Sequence, residues 1–180
     1  GSVPKILHTV SIPWGARNAS EKFDLREYNK SHADRLAEEI SAYSRRFAAE
    51  AELEKYHDDL CFVATSSTPL RLTHIARGWE SYNRSRADGV KMSIEEFEGA
   101  VAKVHGMTCA EMAEDLNIGP VRSEIFQAGC VIFSQIYRDL GAPHLISSLK
   151  SAVDGIIMEL QNEQRHHGVT KWLKPNQQKV

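Results

Sequence analysis

Apolar residues occupy almost every helical face between Pro120 and Leu140. They are Val121, Ile125, Phe126, Ala128, Cys130, Val131, Ile132, Phe133, Ile136, Tyr137 and Leu140. At about 3.6 residues per turn these side chains cannot all point one way. A helix that is apolar on all sides must be surrounded by protein. The pattern therefore predicts a central, buried helix over residues 120–140.

A stripe of apolar residues at steps of three or four predicts a long helix that begins near Asp24. Its members are Leu25, Tyr28, His32, Leu36, Ile40, Tyr43, Phe47 and Ala51. The stripe can extend to about Val63. Because such a run exceeds the usual length of a globular helix, a kink or break is expected over residues 49–55.

Caps and capping boxes mark further helix starts. Pro69, with Thr68 as its cap, predicts a helix that ends near Arg86. Two segments have the Ser/Thr-x-x-Glu pattern of a capping box, Ser93–Glu96 and Thr108–Glu111. We therefore predict that helices begin at both.

The N-terminal residues follow a different pattern, because apolar and polar positions alternate over residues 3–16. Ile6, His8, Val10, Ile12 and Trp14 share one face of this period-two pattern. No second strand of similar quality is visible, and a lone strand has no partner for its backbone hydrogen bonds. We therefore predict an extended N-terminal arm, which packs on its own domain or reaches a neighbour.

The combined elements predict an all-α fold, a single-domain bundle of about six helices around the helix at 120–140. A last helix is expected over residues 144–166, with Leu145, Leu149, Val153, Ile156, Ile157 and Leu160 on its apolar face. The predicted organisation is a tag scar at 1–2, the arm at 3–23, the helical domain at 24–167 and a polar tail at 168–180.

Composition narrows the class of protein. The chain has 180 residues, 42% hydrophobic and 26% charged, with a formal net charge of −2, which argues against a general binder of polyanions. No apolar run is long enough to cross a bilayer. Three cysteines at wide spacings fit neither a disulfide framework nor a zinc knuckle. We therefore expect a cytoplasmic protein that does not contact membranes.

Residues 108–140 resemble the helix-turn-helix motif that reads DNA. Met112, Ala113, Leu116 and Ile118 match its first helix and turn, with Asn117 in place of the usual glycine. In this interpretation Arg122, Ser123 and Gln127 would contact DNA. However, residues 93–117 contain six acidic residues and one lysine, which would repel phosphates. A DNA-binding regulator is therefore an alternative function.

The dipeptide His57-Asp58 resembles the paired metal ligands of HD-type phosphohydrolases, in which a bound metal activates water. His32 would be a further ligand on the same predicted helix. In an unbroken helix it would lie about 37 Å from His57, which is too far for one metal ion. A metal-dependent phosphohydrolase is a second alternative, and we expect neither a metal nor a cofactor.

The favoured prediction is a non-enzymatic adaptor, regulatory or assembly protein that binds a protein partner, possibly as a homodimer. It rests on the missing catalytic motifs, on the unpaired arm, and on acidic segments (34–59, 93–117) and basic ones (71–91 and the tail) that can steer association. The expected partner-binding residues are Ile12, Trp14, Arg77, Arg84 and Arg86. No catalytic residue is predicted, and whether the protein is an enzyme stays open.

Overall fold

The computed structural model describes residues 5–167, with side chains through Gln161. The helices of these residues are α1 (Ala16–Phe23), α2 (Lys30–Glu50), α3 (Ser67–Ala76), α4 (Arg84–Ala87), α5 (Ile94–His105), α6 (Cys109–Glu114), α7 (Pro120–Leu140) and α8 (Ala152–His167), with a 3-10 helix at Leu53–Asp59. The strands are β1 (Phe62–Thr65), β2 (Lys91–Met92) and β3 (Leu145–Ser148). The predicted tag scar, the first two residues of the arm and the polar tail lie outside the described residues.

The three strands form one small mixed sheet in the order β1-β3-β2. β1 runs parallel to β3, with Phe62 opposite Leu145 and Thr65 opposite Ser148. β2 pairs antiparallel with β3. Helices α3 to α7 lie between the two parallel strands in the sequence, so the connection is a long helical crossover. The prediction of an all-α fold is therefore wrong, because the fold combines helices with a mixed sheet.

The predicted helix at 144–166 fails for a local reason. Leu145 and Ser147 are buried whereas Ile146 and Ser148 are only half-buried, which is the period-two pattern of a strand. Four residues are too few to separate a strand period from a helical one, and Leu145 also fits the helical spacing to Leu149. The strand and α8 were consequently merged in the prediction.

Helix α7 is the central helix that its apolar pattern predicts, and it lies between two clusters of buried residues. Phe126, Cys130 and Tyr137 belong to the cluster beneath the sheet and α5. Ala128 and Val131 belong to the cluster formed with α1 and α2. Because both sides of the helix contact protein, apolar residues are required around most of its circumference.

The long predicted helix at 24–63 is interrupted where a break was expected. α2 ends at Glu50, and Glu52 has a positive φ of 51°. The 3-10 helix and β1 follow it, so the final part of the stripe is not α-helical. The helix predicted from Pro69 to Arg86 is also shorter than expected, because α3 ends at Ala76. Its cap is Ser66 and not Thr68.

Both predicted capping boxes are present. The Ser93 hydroxyl accepts the Glu96 N–H at the start of α5, and the Thr108 hydroxyl accepts the Glu111 N–H at the start of α6. The predicted arm is only partly extended, because residues 16–23 form α1. Trp14 packs against the buried cluster that includes Leu36 and Val131, so the extended part of the arm packs on its own domain.

The chain divides between Leu149 and Lys150 into two compact units. The domain bounds predicted from the sequence stay a prediction. The first contains the sheet and helices α1 to α7. The described part of the second unit contains α8. Ser151, which precedes this helix, donates both its N–H and its hydroxyl to Asp154 Oδ2 at 2.7 Å. Among residues 5–167 no helix combines the length and the apolar character that crossing a membrane would require.

Candidate functional site

The carboxyl ends of the two parallel strands lie side by side, since Thr65 and Ser148 are register partners. In open α/β sheets, ligands bind in the crevice beyond the carboxyl ends of parallel strands. β1 is followed at once by Ser66, Ser67 and Thr68, which begin α3. The sheet therefore places hydroxyl groups and a helix N-terminus at the edge where ligands bind in this class of fold.

The start of α3 satisfies part of its own backbone. Ser66 Oγ accepts the Thr68 N–H at 3.2 Å, and Pro69 has no N–H to donate. The Ser67 N–H is therefore the amide of this first turn that is left for a ligand, together with the Ser66 and Ser67 hydroxyls. The first turn contains no acidic residue. The partial positive charge of the helix start thus remains available to an anion.

The backbone N–H groups at the start of α1 are capped less than those at the start of α3. Its N-cap is Gly15, which has no side chain to cap the helix, and its first turn also lacks an acidic residue. The Asn18 side chain accepts the N–H of Gly15 at 2.7 Å, outside the helix. The amides of Ala16 and Arg17 have no such side-chain acceptor, and Arg17 is exposed. This helix start therefore presents N–H groups and a guanidinium.

Gly129, in the middle of α7, brings the two helix starts together. A Cβ atom at this glycine would lie 2.8 Å from Thr68 Oγ1 and 3.6 Å from the Ala16 Cβ. The first turns of α1 and α3 therefore contact the same point on α7, which only glycine leaves open at this distance. Because glycine within a helix costs roughly 1 kcal/mol relative to alanine, close approach is the physical reason for glycine here.

Next to Gly129, burial raises the pKa of the Cys130 thiol well above its ordinary value. The thiol is therefore protonated at neutral pH and serves as part of the core, not as a nucleophile.

Buried hydroxyls and one exposed carboxylate hold the end of β3 in place. Ser147 Oγ donates to the Ala87 carbonyl oxygen at 2.5 Å and accepts the Thr73 hydroxyl at 3.0 Å. Beyond the strand, the Leu149 N–H donates to Asp88 Oδ1 at 2.9 Å. These bonds tie β3 to α3 and to the loop before β2, so the edge of the sheet is rigidly positioned.

No protein-family model matches the sequence, and no curated protein matches it. Solved structures do match. The crystal structure of an exopolyphosphatase-like protein superposes with a TM-score of 0.70 at 20% identity, over 83% of this chain and 49% of that one. The Ppx/GppA protein of Aquifex aeolicus gives 0.67 at 17% identity, over 88% and 50%. The type II variant of the Aquifex aeolicus Ppx/GppA phosphatase also gives 0.67 at 17%, over 86% and 50%.

The fold is similar to that of Ppx/GppA proteins. At these identities the likeness shows the fold alone, and the chain spans about half the length of the solved structures that it matches. The prediction of a non-enzymatic adaptor or regulatory protein is wrong, because the matching structures point to an enzyme fold. The DNA-binding alternative is overturned by the same finding. The sequence had suggested both because it contains no short pattern that is typical of an enzyme.

The predicted partner-binding residues have contacts within the domain. Ile12 and Trp14 pack against the cluster formed by α1, α2 and α7. Arg77 pairs with Glu96 at 2.5 Å and donates to the Lys91 carbonyl oxygen at 2.7 Å. The Arg86 guanidinium lies 4.0 Å from the centre of the Trp79 ring, and Arg84 is exposed on α4. Their role toward a partner stays a prediction.

The residues assigned to DNA in the alternative interpretation do not share an exposed face. Gln127 is fully buried, where it donates to the Val104 carbonyl oxygen at 2.8 Å and lies 2.7 Å from His105 Nδ1. The buried Ser123 hydroxyl donates to the Pro120 carbonyl oxygen at 3.2 Å. Arg122 is half-buried in the first turn of α7.

The pair that suggested an HD-type phosphohydrolase is exposed. His57 Nδ1 and Asp58 Oδ1 are 3.2 Å apart on the 3-10 helix. Within residues 5–167, no three His, Cys, Asp or Glu side chains are grouped closely enough to hold a metal ion.

Proposed function

We propose that the chain is the phosphoryl-binding half of a phosphatase that acts on phosphate chains, such as polyphosphate. One observation carries the proposal. The first turns of α1 and α3 meet at Gly129, beside the carboxyl ends of β1 and β3. Helix starts without acidic residues attract anions, and two of them at one point favour an anion with several charged oxygens.

The chemistry of the donors supports a phosphate ligand. The Ser67 N–H and the nearby hydroxyls would bind one side of a phosphoryl group, and the Ala16 and Arg17 amides the other. The exposed Arg17 guanidinium adds a charged donor with the fork geometry that suits phosphate oxygens. These groups bind and orient the ligand, and they stabilise the negative charge that a transferred phosphoryl group spreads over its oxygens.

The neighbouring structures support the assignment to phosphatases, since one is described as an exopolyphosphatase-like protein and another as a Ppx/GppA phosphatase. Because this chain covers about half of each, the proposal assigns to it phosphoryl binding. The groups that activate water would come from polypeptide equivalent to the other half. We also propose a cytoplasmic location, because Cys61, Cys109 and Cys130 are free thiols, as a reducing compartment would keep them.

Calorimetric titration with inorganic pyrophosphate and tripolyphosphate tests the proposal. Ser67→Asp places a carboxylate in the half-buried first turn of α3, and we expect at least tenfold weaker binding because the added charge repels the phosphate. Ser31→Asp is the matched control. It introduces the same charge in the first turn of α2, beyond the opposite end of α1, where His32 Nδ1 lies 3.2 Å from the Asp24 carbonyl oxygen.

Acidic residues stabilise helix starts, so both variants are expected to fold. The control should bind pyrophosphate as the unmodified chain does. Equal affinity of the Ser67→Asp and Ser31→Asp proteins would contradict the proposed site. Failure of the unmodified chain to bind either phosphate chain would contradict the proposed function itself.

A further inference from the structure

A groove in the first compact unit lies along α7, between α2 and α5. Its volume of about 240 Å³ is below the roughly 300–1,000 Å³ of sites for drug-sized ligands, so it suits a smaller molecule. Its α7 side is formed by Val131, Ser134, Gln135 and Arg138, which share one face of the helix. No described residue of α1, α3 or the sheet lines it, so the groove is separate from the proposed phosphoryl site.

Small side chains leave this groove open. Ala33 and Ala37 form its α2 side, and Val101 and Ala102 form its α5 side. Ala33, Val101 and Val131 are buried, so the deep part of the groove is apolar. An aliphatic group of a ligand would remove further apolar surface from water there.

One buried hydroxyl of this groove has no partner. Ser134 is 4% exposed, and its Oγ makes no hydrogen bond within the described part of the chain. A buried polar group without a partner destabilises a fold, and alanine would fit the same position without that cost. A ligand in the groove would supply the missing partner, which is a physical reason for serine here.

The tautomer of His105, which also lines the groove, is fixed by its neighbour on α7. The Gln127 amide nitrogen donates to the Val104 and Met107 carbonyl oxygens at 2.8 and 3.3 Å. The Gln127 oxygen is therefore the atom that lies 2.7 Å from His105 Nδ1. Because that oxygen can only accept, Nδ1 carries the proton and Nε2 keeps its lone pair as an acceptor. Burial lowers the pKa of His105, which keeps the ring neutral near pH 7.

The rim of the groove has charges of both signs. The Arg138 Nε donates to Glu98 Oε1 at 2.5 Å, and the two terminal amino groups of Arg138 make no hydrogen bond to a described residue. Asp34 Oδ2 pairs with Lys30 at 2.6 Å, which leaves Asp34 Oδ1 as an acceptor. Two carboxylates beside one guanidinium disfavour a simple anion, and the guanidinium disfavours a simple cation. The rim therefore suits a ligand with both charges.

We propose that this groove binds a small aliphatic α-amino acid as its zwitterion. The carboxylate of the ligand accepts hydrogen bonds from the terminal amino groups of Arg138 and from the Ser134 hydroxyl. Its ammonium group donates to acceptors of the lining, among them Asp34 Oδ1 and His105 Nε2. Its aliphatic side chain packs against the alanine and valine side chains of the groove.

Calorimetric titration of the 180-residue chain with L-valine at neutral pH tests the proposal. Isobutylamine is valine without its carboxylate, and isovaleric acid is valine without its ammonium group. We expect saturable binding of L-valine and at least tenfold weaker binding of each of the other two compounds, because each leaves one sign of charge in the rim without its partner.

Variants locate the binding in the groove. Ala102→Leu fills the groove from α5, and we expect it to weaken L-valine binding at least tenfold. Lys103→Leu is the matched control, because it adds the same side chain at the next position of α5, which does not line the groove. Both positions are exposed, so both variants should fold. Ser134→Ala should weaken L-valine binding at least threefold without lowering the stability of the unliganded chain, since the hydroxyl it removes has no partner there.

Equal binding of L-valine to the Ala102→Leu and Lys103→Leu proteins would overturn the proposal, as would the absence of saturable binding to the unmodified chain. Isobutylamine or isovaleric acid that bound as tightly as L-valine would contradict recognition of a zwitterion.

Discussion

Two helix starts of this domain are closed by a carboxylate, and others, among them those of α1 and α3, are open because they have no acidic residue in the first turn. α5 and α6 begin with capping boxes, in which Glu96 and Glu111 place a carboxylate at the positive end of the helix and accept the N-cap amides. α1 and α3 begin without any acidic residue. At α5 and α6 the positive end of the helix is neutralised by a side chain of its own first turn. At α1 and α3 no carboxylate neutralises it, so the partial charge is left for a ligand.

This difference follows the position of each helix in the fold. The open starts of α1 and α3 meet at Gly129 beside the parallel strands, whereas the two capping boxes lie on the crossover between those strands. The first turns of α2, α4 and α7 also lack an acidic residue, so an open start alone does not mark the site. A capping box therefore serves stability at α5 and α6. The absence of a carboxylate at the starts of α1 and α3 is consistent with a binding role, since a carboxylate there would repel a phosphate.

The largest effect is expected from Gly129→Ala, which tests whether the open helix starts depend on close approach. The added methyl group would lie 2.8 Å from Thr68 Oγ1. We expect the free energy of unfolding to fall by about 1–3 kcal/mol, the cost of overpacking a well-packed contact. Urea denaturation measures it, and pyrophosphate binding should weaken in the same variant.

Gly99→Ala is the matched control, because Gly99 lies within α5 and a Cβ atom there meets no atom within 4 Å. It should raise the free energy of unfolding by about 0.5–1 kcal/mol through helix propensity alone. If both alanine variants were stabilised alike, the contact between α3 and α7 at Gly129 would not be tight.

The sequence predicted the closed helix starts well and the open ones poorly. Ser93–Glu96 and Thr108–Glu111 are local signals, since each box is completed within four residues. The start of α3 was recognised as a helix start through Pro69, yet the anion binding proposed for it depends on α1, which lies about fifty residues earlier in the chain. No local pattern contains that juxtaposition.

The strands were missed for a related reason. β1 and β3 have four residues each and pair across about eighty residues of sequence, so neither shows a long alternation. Gly129 was the one available signal for the site. A glycine within the most apolar helix of the chain carries a propensity cost, and that cost indicates a close approach of backbone to a neighbour.

A smaller effect is expected from removing single caps, and it sharpens the comparison of open and closed starts. Ser66→Ala at α3 and Ser93→Ala at α5 should each lower the free energy of unfolding by about 1 kcal/mol in buffer without phosphate. With pyrophosphate present, the loss in Ser66→Ala should shrink, because a bound anion can accept the Thr68 N–H that the serine releases.

Ser93→Ala should keep its full loss in pyrophosphate, because the Glu96 carboxylate repels an anion from the start of α5. Thermal unfolding with and without pyrophosphate measures both variants. Equal rescue of the two variants would mean that pyrophosphate stabilises the fold in general and does not distinguish open from closed starts.

The smallest expected effect is the pH dependence of a closed start. Hydrogen bonds from the Thr108 backbone and hydroxyl lower the pKa of Glu111 below its ordinary value of about 4.3. Because the pKa is lower in the folded state, the stabilisation is present above about pH 4.3 and is lost as the pH falls through the folded value. Glu111→Gln should therefore unfold at lower urea than the unmodified chain at neutral pH, and the two midpoints should converge in acid. A gap between the midpoints that stays constant from neutral pH into acid would mean that the charge of Glu111 does not stabilise the start of α6.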